Sequence, residues 1–235
     1  MQSLSNRMLL ALWERGQDRS PVERALLLLE AALPAIAEDD RIGVDIGVRD
    51  AALLKLRHAT FGTRISGCVA CPQCASRLEF DLDTGAILRD LPEPVESAIA
   101  FGDGLRFRLP NSSDLMAAAH CADADAAGRE ILSRCCLTAR RPQEWSEAVI
   151  AEIGALMAAT TGATDIRLEF TCAACGRAFS EYLDMPDYFW GEIENWAQQT
   201  LDDVHRLATA YGWDEESVLA LTPARRAAYL VRCGA

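Results

Sequence analysis

Apolar and polar positions in the first sixty residues follow a helical period. Ser20-Pro21-Val22-Glu23 places a hydroxyl at a cap, a proline at the first helical position and a glutamate three residues after the serine. That is a capping box opening onto the apolar run Ala25 to Leu33, and Pro34 stops or bends the helix it predicts. Leu53, Leu54, Leu56 and Phe61 predict a further helix from about Val48 to Phe61, with Gly62 as its terminator. From Arg64 the period shortens to two. Leu78, Phe80 and Leu82 alternate with Glu79, Asp81 and Asp83; Leu105, Phe107 and Leu109 alternate with Arg106 and Arg108; Ile166, Leu168 and Phe170 alternate with Arg167 and Glu169. Each segment predicts a strand with one buried face, and the arginines of the second are expected opposite the acids of the first.

Helical patterning fills the gaps. Ser113 is a candidate cap for a short helix from Asp114, a second helix is expected near Ala124 to Leu137, and Trp145 to Ala159 puts Trp145, Val149, Ile153, Leu156 and Met157 on one face. Pro92, Pro94, Gly102 and Gly104 mark turns before the second strand. Beyond Phe189, the positions Ile193, Trp196, Leu201, Val204, Leu207 and Tyr211 recur at helical spacing until Gly212, and Thr222-Pro223 starts a closing helix. The carboxy-terminal region therefore reads as a helix, a short connecting helix and a helix.

Composition adds bounds to this pattern. The 235 residues, half of them hydrophobic and a quarter charged, can bury one large core or two small ones. A formal charge of -12 works against a general role on phosphate backbones or anionic lipid surfaces, while allowing a local basic patch. Lys55 is the only lysine among the 23 basic residues. The run Met8 to Trp13 is too short for a signal-peptide core, and Glu30 and Pro34 interrupt the longest apolar stretch, Ala25 to Ala37. The expectation is a soluble, cytoplasmic protein.

Nine cysteines, an odd number without an export signal, point to thiols or metal ligands rather than a disulfide framework. Cys71-Pro72-Gln73-Cys74 and Cys172-Ala173-Ala174-Cys175-Gly176 are C-x-x-C pairs, and Leu82-Asp83 lies as far beyond the first as Leu183-Asp184 beyond the second. Two residues between cysteines let a tight turn aim both sulfurs at one ion, and two such turns complete the tetrahedron zinc prefers. The reading is a four-cysteine zinc ribbon split by an insertion, with Cys71, Cys74, Cys172 and Cys175 as ligands of a structural Zn2+. Glycine suits the turn after the second pair, where the first pair has Ala75. A dithiol redox pair needs one C-x-x-C at a helix start, whereas both of these precede strands. Cys68 extends the first pair to C-x-x-C-x-x-C, which an iron-sulfur site could recruit, but the following cysteine-proline step is absent, and Cys68 reads as a spare thiol or substitute ligand.

The fold class is thus α+β, a mainly helical protein with a small antiparallel sheet. Residues 1–63 form an amino-terminal helical region, 64–184 the split zinc ribbon with a helical insertion at about 111–162, and 185–235 a carboxy-terminal helical region.

Catalytic signals are sparse. The three histidines, His58, His120 and His205, form no H-E-x-x-H, and neither G-x-S-x-G nor a phosphate-binding glycine loop occurs. His120 and Cys121 are neighbours and so point apart in a helix. Cys135 and Cys136 read as small core residues, and Asp202 with Arg206 as a surface pair. Tyr188, Phe189, Trp190, Trp196, Tyr211, Trp213 and Tyr229 crowd the last fifty residues. They supply either a packed helical core or a partner surface anchored by rigid aromatics, and Tyr188 and Trp190, flanking Phe189, are not expected to point inward with it.

The strings Val204-His205-Arg206-Leu207-Ala208, Ala210-Tyr211-Gly212-Trp213, Leu219-Ala220-Leu221-Thr222-Pro223-Ala224-Arg225-Arg226 and Tyr229-Leu230 resemble proteins encoded beside contractile phage tails and tail-like injection systems, grouped with the T-even-type baseplate hub assembly chaperones. The block from Leu53-Leu54 to Thr60-Phe61-Gly62 leading into Cys71-Pro72-Gln73-Cys74 is similar to the bacterial members too. Ala75 and Cys68 depart from that pattern. The resemblance implies a cytoplasmic, non-enzymatic factor that assists assembly of a tail or baseplate, its partners being tail or baseplate proteins rather than a membrane or a small-molecule substrate. Candidate partner-binding residues are Trp190, Trp196, Tyr211, Trp213, Arg225, Arg226 and Tyr229. The rival reading is a zinc-ribbon nucleic-acid-binding regulator, using Arg134 with Arg140 and Arg141, or Arg225 with Arg226, although clusters this small are more often solvated faces.

Overall fold

A computed structural model describes residues 2–89, 98–102, 104–138, 145–161 and 166–234. The chain is mainly helical, with small two-stranded antiparallel sheets. Pro92, Pro94, Arg140 and Arg141, singled out above, lie outside the described residues.

The amino-terminal helices are α1 (Asn6–Gly16), α2 (Pro21–Ala32), the short α3 (Glu38–Arg41) and α4 (Ile46–Phe61). Both bonds of the Ser20/Glu23 capping box are present at α2, and Gly62, at φ 90°, ends α4. Leu28, Leu29, Leu53, Leu54 and Leu56 are almost wholly buried between these helices. The long α9 (Met185–Tyr211) completes this core by inserting Phe189 and Ile193, so the two ends of the chain share one hydrophobic cluster. Helices α1, α2 and α4 and the first half of α9 therefore pack around one core.

Tyr188, Phe189 and Trp190 all find neighbours, because α9 has structure on three sides. Phe189 meets Phe61 of α4 edge to face at 6.0 Å, Trp190 lies under the guanidinium of Arg24 at 4.7 Å, and the Tyr188 hydroxyl donates to the Ser66 carbonyl at 3.0 Å. Beneath Tyr188, buried Arg57 donates to both carboxylate oxygens of Glu192 and to the carbonyls of Gly62 and Arg64. Those bonds fix the exit of α4 into the first strand and tie it to α9.

Two hairpins extend from this body. β1 (Arg64–Ala70) pairs with β2 (Arg77–Asp83), and β5 (Ile166–Thr171) pairs with β6 (Ala178–Leu183). Their half-buried faces meet through Phe80 and Phe170, edge to face at 5.9 Å, with Phe179 stacked on Phe170 at 5.4 Å. After β2, α5 (Thr84–Arg89) returns to α4, where the Thr84 hydroxyl lies 2.8 Å from His58 Nδ1.

A second core lies between the hairpins in sequence. It contains β3 (Ile99–Phe101), β4 (Leu105–Phe107), α7 (Ala124–Cys135) and α8 (Glu147–Thr161), packed around Phe107, Leu132, Trp145 and Ile153. The inserted unit thus takes in the β3–β4 hairpin, upstream of the expected boundary near 111. The expected pairing of Arg106 and Arg108 with the acids of β2 does not form, because β4 pairs with β3, setting Arg106 opposite Ala100, while Ser66 and Arg64 of β1 hold Asp81. The alternating run stops at Phe107 rather than Leu109. Beyond it the backbone turns to the exit of α7, where Arg108 N–H donates to the Cys135 carbonyl and Leu137 N–H to the Arg106 carbonyl.

Between these elements, α6 (Ser112–Ala118) is capped by Asn111, not Ser113: the Asn111 side chain accepts from Asp114 N–H and the Asp114 carboxylate accepts from Asn111 N–H. On α8, Ile153 and Met157 face the core but Leu156 is exposed. The insert docks on the helical body at the start of α4, through Ile46 N–H to the Pro110 carbonyl and Arg49 to the Ser112 hydroxyl.

Candidate metal centre

Each C-x-x-C sits at the tip of a hairpin, with a strand before it as well as after it. In the first tip, Cys71 N–H donates to the Ser76 carbonyl at 2.9 Å and Ala75 N–H to the Cys71 carbonyl at 2.9 Å. In the second, Cys172 N–H donates to the Arg177 carbonyl and Gly176 N–H to the Cys172 carbonyl, at 2.9 and 2.8 Å. The two turns repeat one another bond for bond. Ala75, at φ 58°, takes the left-handed conformation that Gly176 takes at φ 74°, so the alanine departs in residue type but not in geometry.

This repetition places one buried and one exposed cysteine per turn, Cys71 with Cys74 and Cys172 with Cys175. The four sulfurs lie within 4.8 Å of one another, Cys71 to Cys175 at 3.7 Å and Cys74 to Cys172 at 3.6 Å. These separations are too long for disulfides, whose sulfurs are about 2.05 Å apart. Four sulfurs bound tetrahedrally at about 2.3 Å would sit about 3.8 Å from each other. The group can therefore hold a metal ion without rearrangement of the backbone.

Electrostatics point the same way. Burial opposes ionising Cys71, yet N–H groups of Gln73 and Cys74 and the Cys175 thiol outweigh it, holding Cys71 at about 6. The N–H of Ser76 favours thiolate at Cys74, but Cys172, Cys175 and Cys71 oppose it and Cys74 is pushed up to about 12. One thiolate forms readily and Cys74 and Cys175 then resist, which is the condition a divalent cation relieves. Cys68 stands outside this group: it is exposed on β1, and its sulfur accepts from Arg77 Nε at 3.1 Å.

A second polar centre, not anticipated from the sequence, lies in the insert. Asp114, wholly buried, accepts from Arg108 Nη2 at 2.8 Å and Arg134 Nε at 2.9 Å, and the Cys135 thiol points at it from 3.7 Å. Burial disfavours the Asp114 carboxylate, but Arg108, the Asn111 N–H and Arg134 together hold it down to about 2. Burial and the facing Asp114 push Cys135 up to about 12, an inert thiol. The spacing Asn111-x-x-Asp114 was the readable signal for it. Cys135 is a core residue as expected, while Cys136 is only half-buried.

The candidate partner residues separate. Trp190 is 2% exposed and Arg226 is 9% exposed against Asp203, which removes both from an accessible surface of this chain. Buried Arg226 also breaks up the Arg225/Arg226 patch, and Arg134 is committed to Asp114 and Ser113. Trp196 packs half-buried against the main core. Tyr211, Trp213 and Tyr229 do come together, at centroid distances of 4.8, 4.9 and 5.8 Å, where the end of α9 meets α11 (Pro223–Cys233) beyond the short α10 (Glu215–Leu219). Tyr211 is 40% exposed, and Arg225 is exposed four residues before Tyr229 on α11. The expected Asp202–Arg206 pair is replaced by Arg206 donating to the Leu230 carbonyl. His120 and His205 are exposed.

Among the described residues no helix is long and apolar enough to cross a membrane. Comparison with protein-family models, curated proteins and solved structures returns no match to this chain.

Proposed function

We propose that this protein is a zinc-clamped scaffold that works by contact rather than turnover, as a non-enzymatic assembly factor or structural component of a contractile phage-type tail or baseplate. The observation that carries the scaffold half is the meeting of four cysteine sulfurs from hairpin tips about a hundred residues apart in sequence, Cys71 and Cys175 being 104 apart. Zinc is the ion this soft, four-sulfur tetrahedral set suits, and four thiolates leave it no open position for water or substrate. The ion then supplies cross-linking: it closes the loop that contains the insert and fixes the two hairpins relative to α4 and α9. The tail half rests on the sequence resemblance. Its contact surface is the aromatic cluster Tyr211, Trp213 and Tyr229 with Arg225, reduced from the wider set by the burial of Trp190 and Arg226.

Co-expression with individual contractile-tail baseplate and tube proteins tests both halves. The full chain is expected to retain one of them and to carry one zinc by atomic emission. A chain ending at Gly212 is expected to lose the partner and keep the zinc, since α9 and the hairpins remain. If that shorter chain misfolds, Arg225→Glu combined with Tyr211→Ala makes the same test at exposed positions. Retention by the altered chains overturns the carboxy-terminal surface; failure to retain any tail protein, or salt-sensitive retention of nucleic acid instead, overturns the tail reading; absence of bound metal overturns the scaffold.

A further inference from the structure

A groove in the helical body has chemistry of its own. It runs between the amino-terminal arm, α1, the end of α2 and the exposed side of α4, and encloses about 1110 Å3. Ligand pockets commonly enclose about 300–1,000 Å3, so this one is large enough for the side-chain row of a peptide. Its floor is apolar, from Leu4, Met8, Ala11, Leu12, Leu33 and Pro34. Met8 is 46% exposed there although its neighbours Leu9 and Leu10 are buried, and an unbranched thioether adapts to a partner better than a branched side chain.

The rim carries charge opposite to that of the molecule. Arg15, Arg41 and Lys55 line it together with one carboxylate, Glu30. Glu30 is already used: Arg15 donates to both of its oxygens, at 3.2 and 2.9 Å, and Arg41 approaches one at 3.2 Å. Among the residues that line the groove, three cations stand with one acid on a chain of net charge -12; Glu38 and Asp39 flank Arg15 and Arg41 on the side away from Lys55, so the cation left to a ligand is Lys55 first. Lys55, the only lysine, is exposed and makes no ion pair among the described residues. An acidic ligand is repelled by most of this surface and attracted here.

We propose that this groove receives an acidic amphipathic helix from a partner protein. A helix fits because helices α1, α2, α3 and α4 line the groove and no strand edge borders it, so an extended peptide finds no backbone to pair with, whereas an apolar row at i, i+3, i+4 and i+7 meets the apolar lining and flanking Glu or Asp meets Lys55, Arg15 and Arg41. The site is distinct from the carboxy-terminal surface, which reaches α1 through Asn6 and the Leu219 carbonyl, and it stands whether or not that surface binds a tail protein.

The test is selection of binders to the full-length, metal-loaded chain from a displayed library of peptides of about 16 residues, patterned as amphipathic helices with acidic, neutral or basic polar faces. Acidic members are expected to dominate, to bind less tightly as salt rises, and to lose about tenfold or more in affinity for Lys55→Glu and for Met8→Glu with Ala11→Glu. All three positions are exposed, so the core is untouched; if the double variant nevertheless loses its helical circular dichroism, Lys55→Glu alone decides. Enrichment of neutral or basic peptides, no enrichment, or undiminished binding by the folded variants overturns the proposal.

Discussion

Ala75 shows how a single side chain marks the site. Among the described residues it is the one non-glycine position with positive φ, held there by its N–H to the Cys71 carbonyl. A left-handed conformation costs a Cβ-bearing residue about 1–2 kcal/mol, and glycine would give back about 0.5–1 kcal/mol of that in unfolded-state entropy. Ala75→Gly is therefore expected to stabilise the protein by about 0.5–1 kcal/mol, and Gly176→Ala to destabilise it by a similar amount, each read from the denaturant midpoint of the metal-loaded protein. Equal and negligible changes at both positions would mean that the turns are not strained as their geometry implies. The four clustered cysteines were legible because C-x-x-C spacing fixes two sulfurs locally and the matched Leu-Asp offsets revealed a second copy. The cap of α6 was not: Asn111, Ser112 and Ser113 are all competent caps, and only the reciprocal bond from Asp114, three residues after Asn111, decides among them.

Elements with a one-sided neighbour were readable from period alone: helix α2 and the strands β2 and β5 each bury one face against one core. Helix α4, packed against α2, α5 and α9, was placed instead by its apolar residues and the Gly62 stop. The start of α9 is surrounded, and a rule about one inward face misplaced Trp190, which lies against the end of α1. Its ring fills the space where Gly16 has no side chain: a Cβ there would meet Trp190 Cη2 at 2.1 Å and Cζ3 at 2.6 Å. The ring has no easy retreat, since Arg24 covers its face while donating to the Gly16 and Gln17 carbonyls. Gly16→Ala should cost about 1–3 kcal/mol by overpacking, lowering the melting temperature by several degrees. Gly191→Ala, one residue along α9 from Trp190, adds a Cβ that meets nothing within 4 Å and should instead be neutral or stabilising, by up to about 1 kcal/mol. Equal melting temperatures for the two variants would show that α1 and α9 do not pack through this contact.

At the scale of the whole molecule, two cores answer to two different perturbations. The insert was legible as a helical insertion but not in its extent, because the β3–β4 hairpin that packs with it has the same alternating pattern as the strands of the cysteine-bearing hairpins; only long-range packing separates them. Its stability leans on Asp114, whose folded pKa of about 2 lies below the ordinary 3.8. A carboxylate depressed on folding contributes fully above its unfolded value and loses that contribution as pH falls through the folded one, here between about 4 and about 2. The loss amounts to about 1–2 kcal/mol once allowance is made for Arg108 and Arg134, each about a third exposed to screening solvent. At the junction with α4 the sign is opposite. Burial raises Asp45 and Asp50 despite the helix N–H groups that bond Asp45 and the Arg49 that pairs with Asp50, so protons are bound more readily in the folded state and acid does not weaken that contact. Chelation is expected to act elsewhere, at the hairpin tips proposed to hold the metal; the strands behind those tips reach the helical core through Ile65, Leu82, Leu168 and Leu183. Thermal unfolding should then show a double dissociation. Lowering the pH from 6 to about 3 is expected to bring down the transition reported by Trp145 against Phe107, an effect removed by Asp114→Asn, while a chelator at neutral pH brings down the transition of the helical core and leaves most helical circular dichroism in place below it. A single transition displaced equally by acid and by chelator would show that the insert and the helical body unfold as one unit, with the metal and Asp114 stabilising the same cooperative structure.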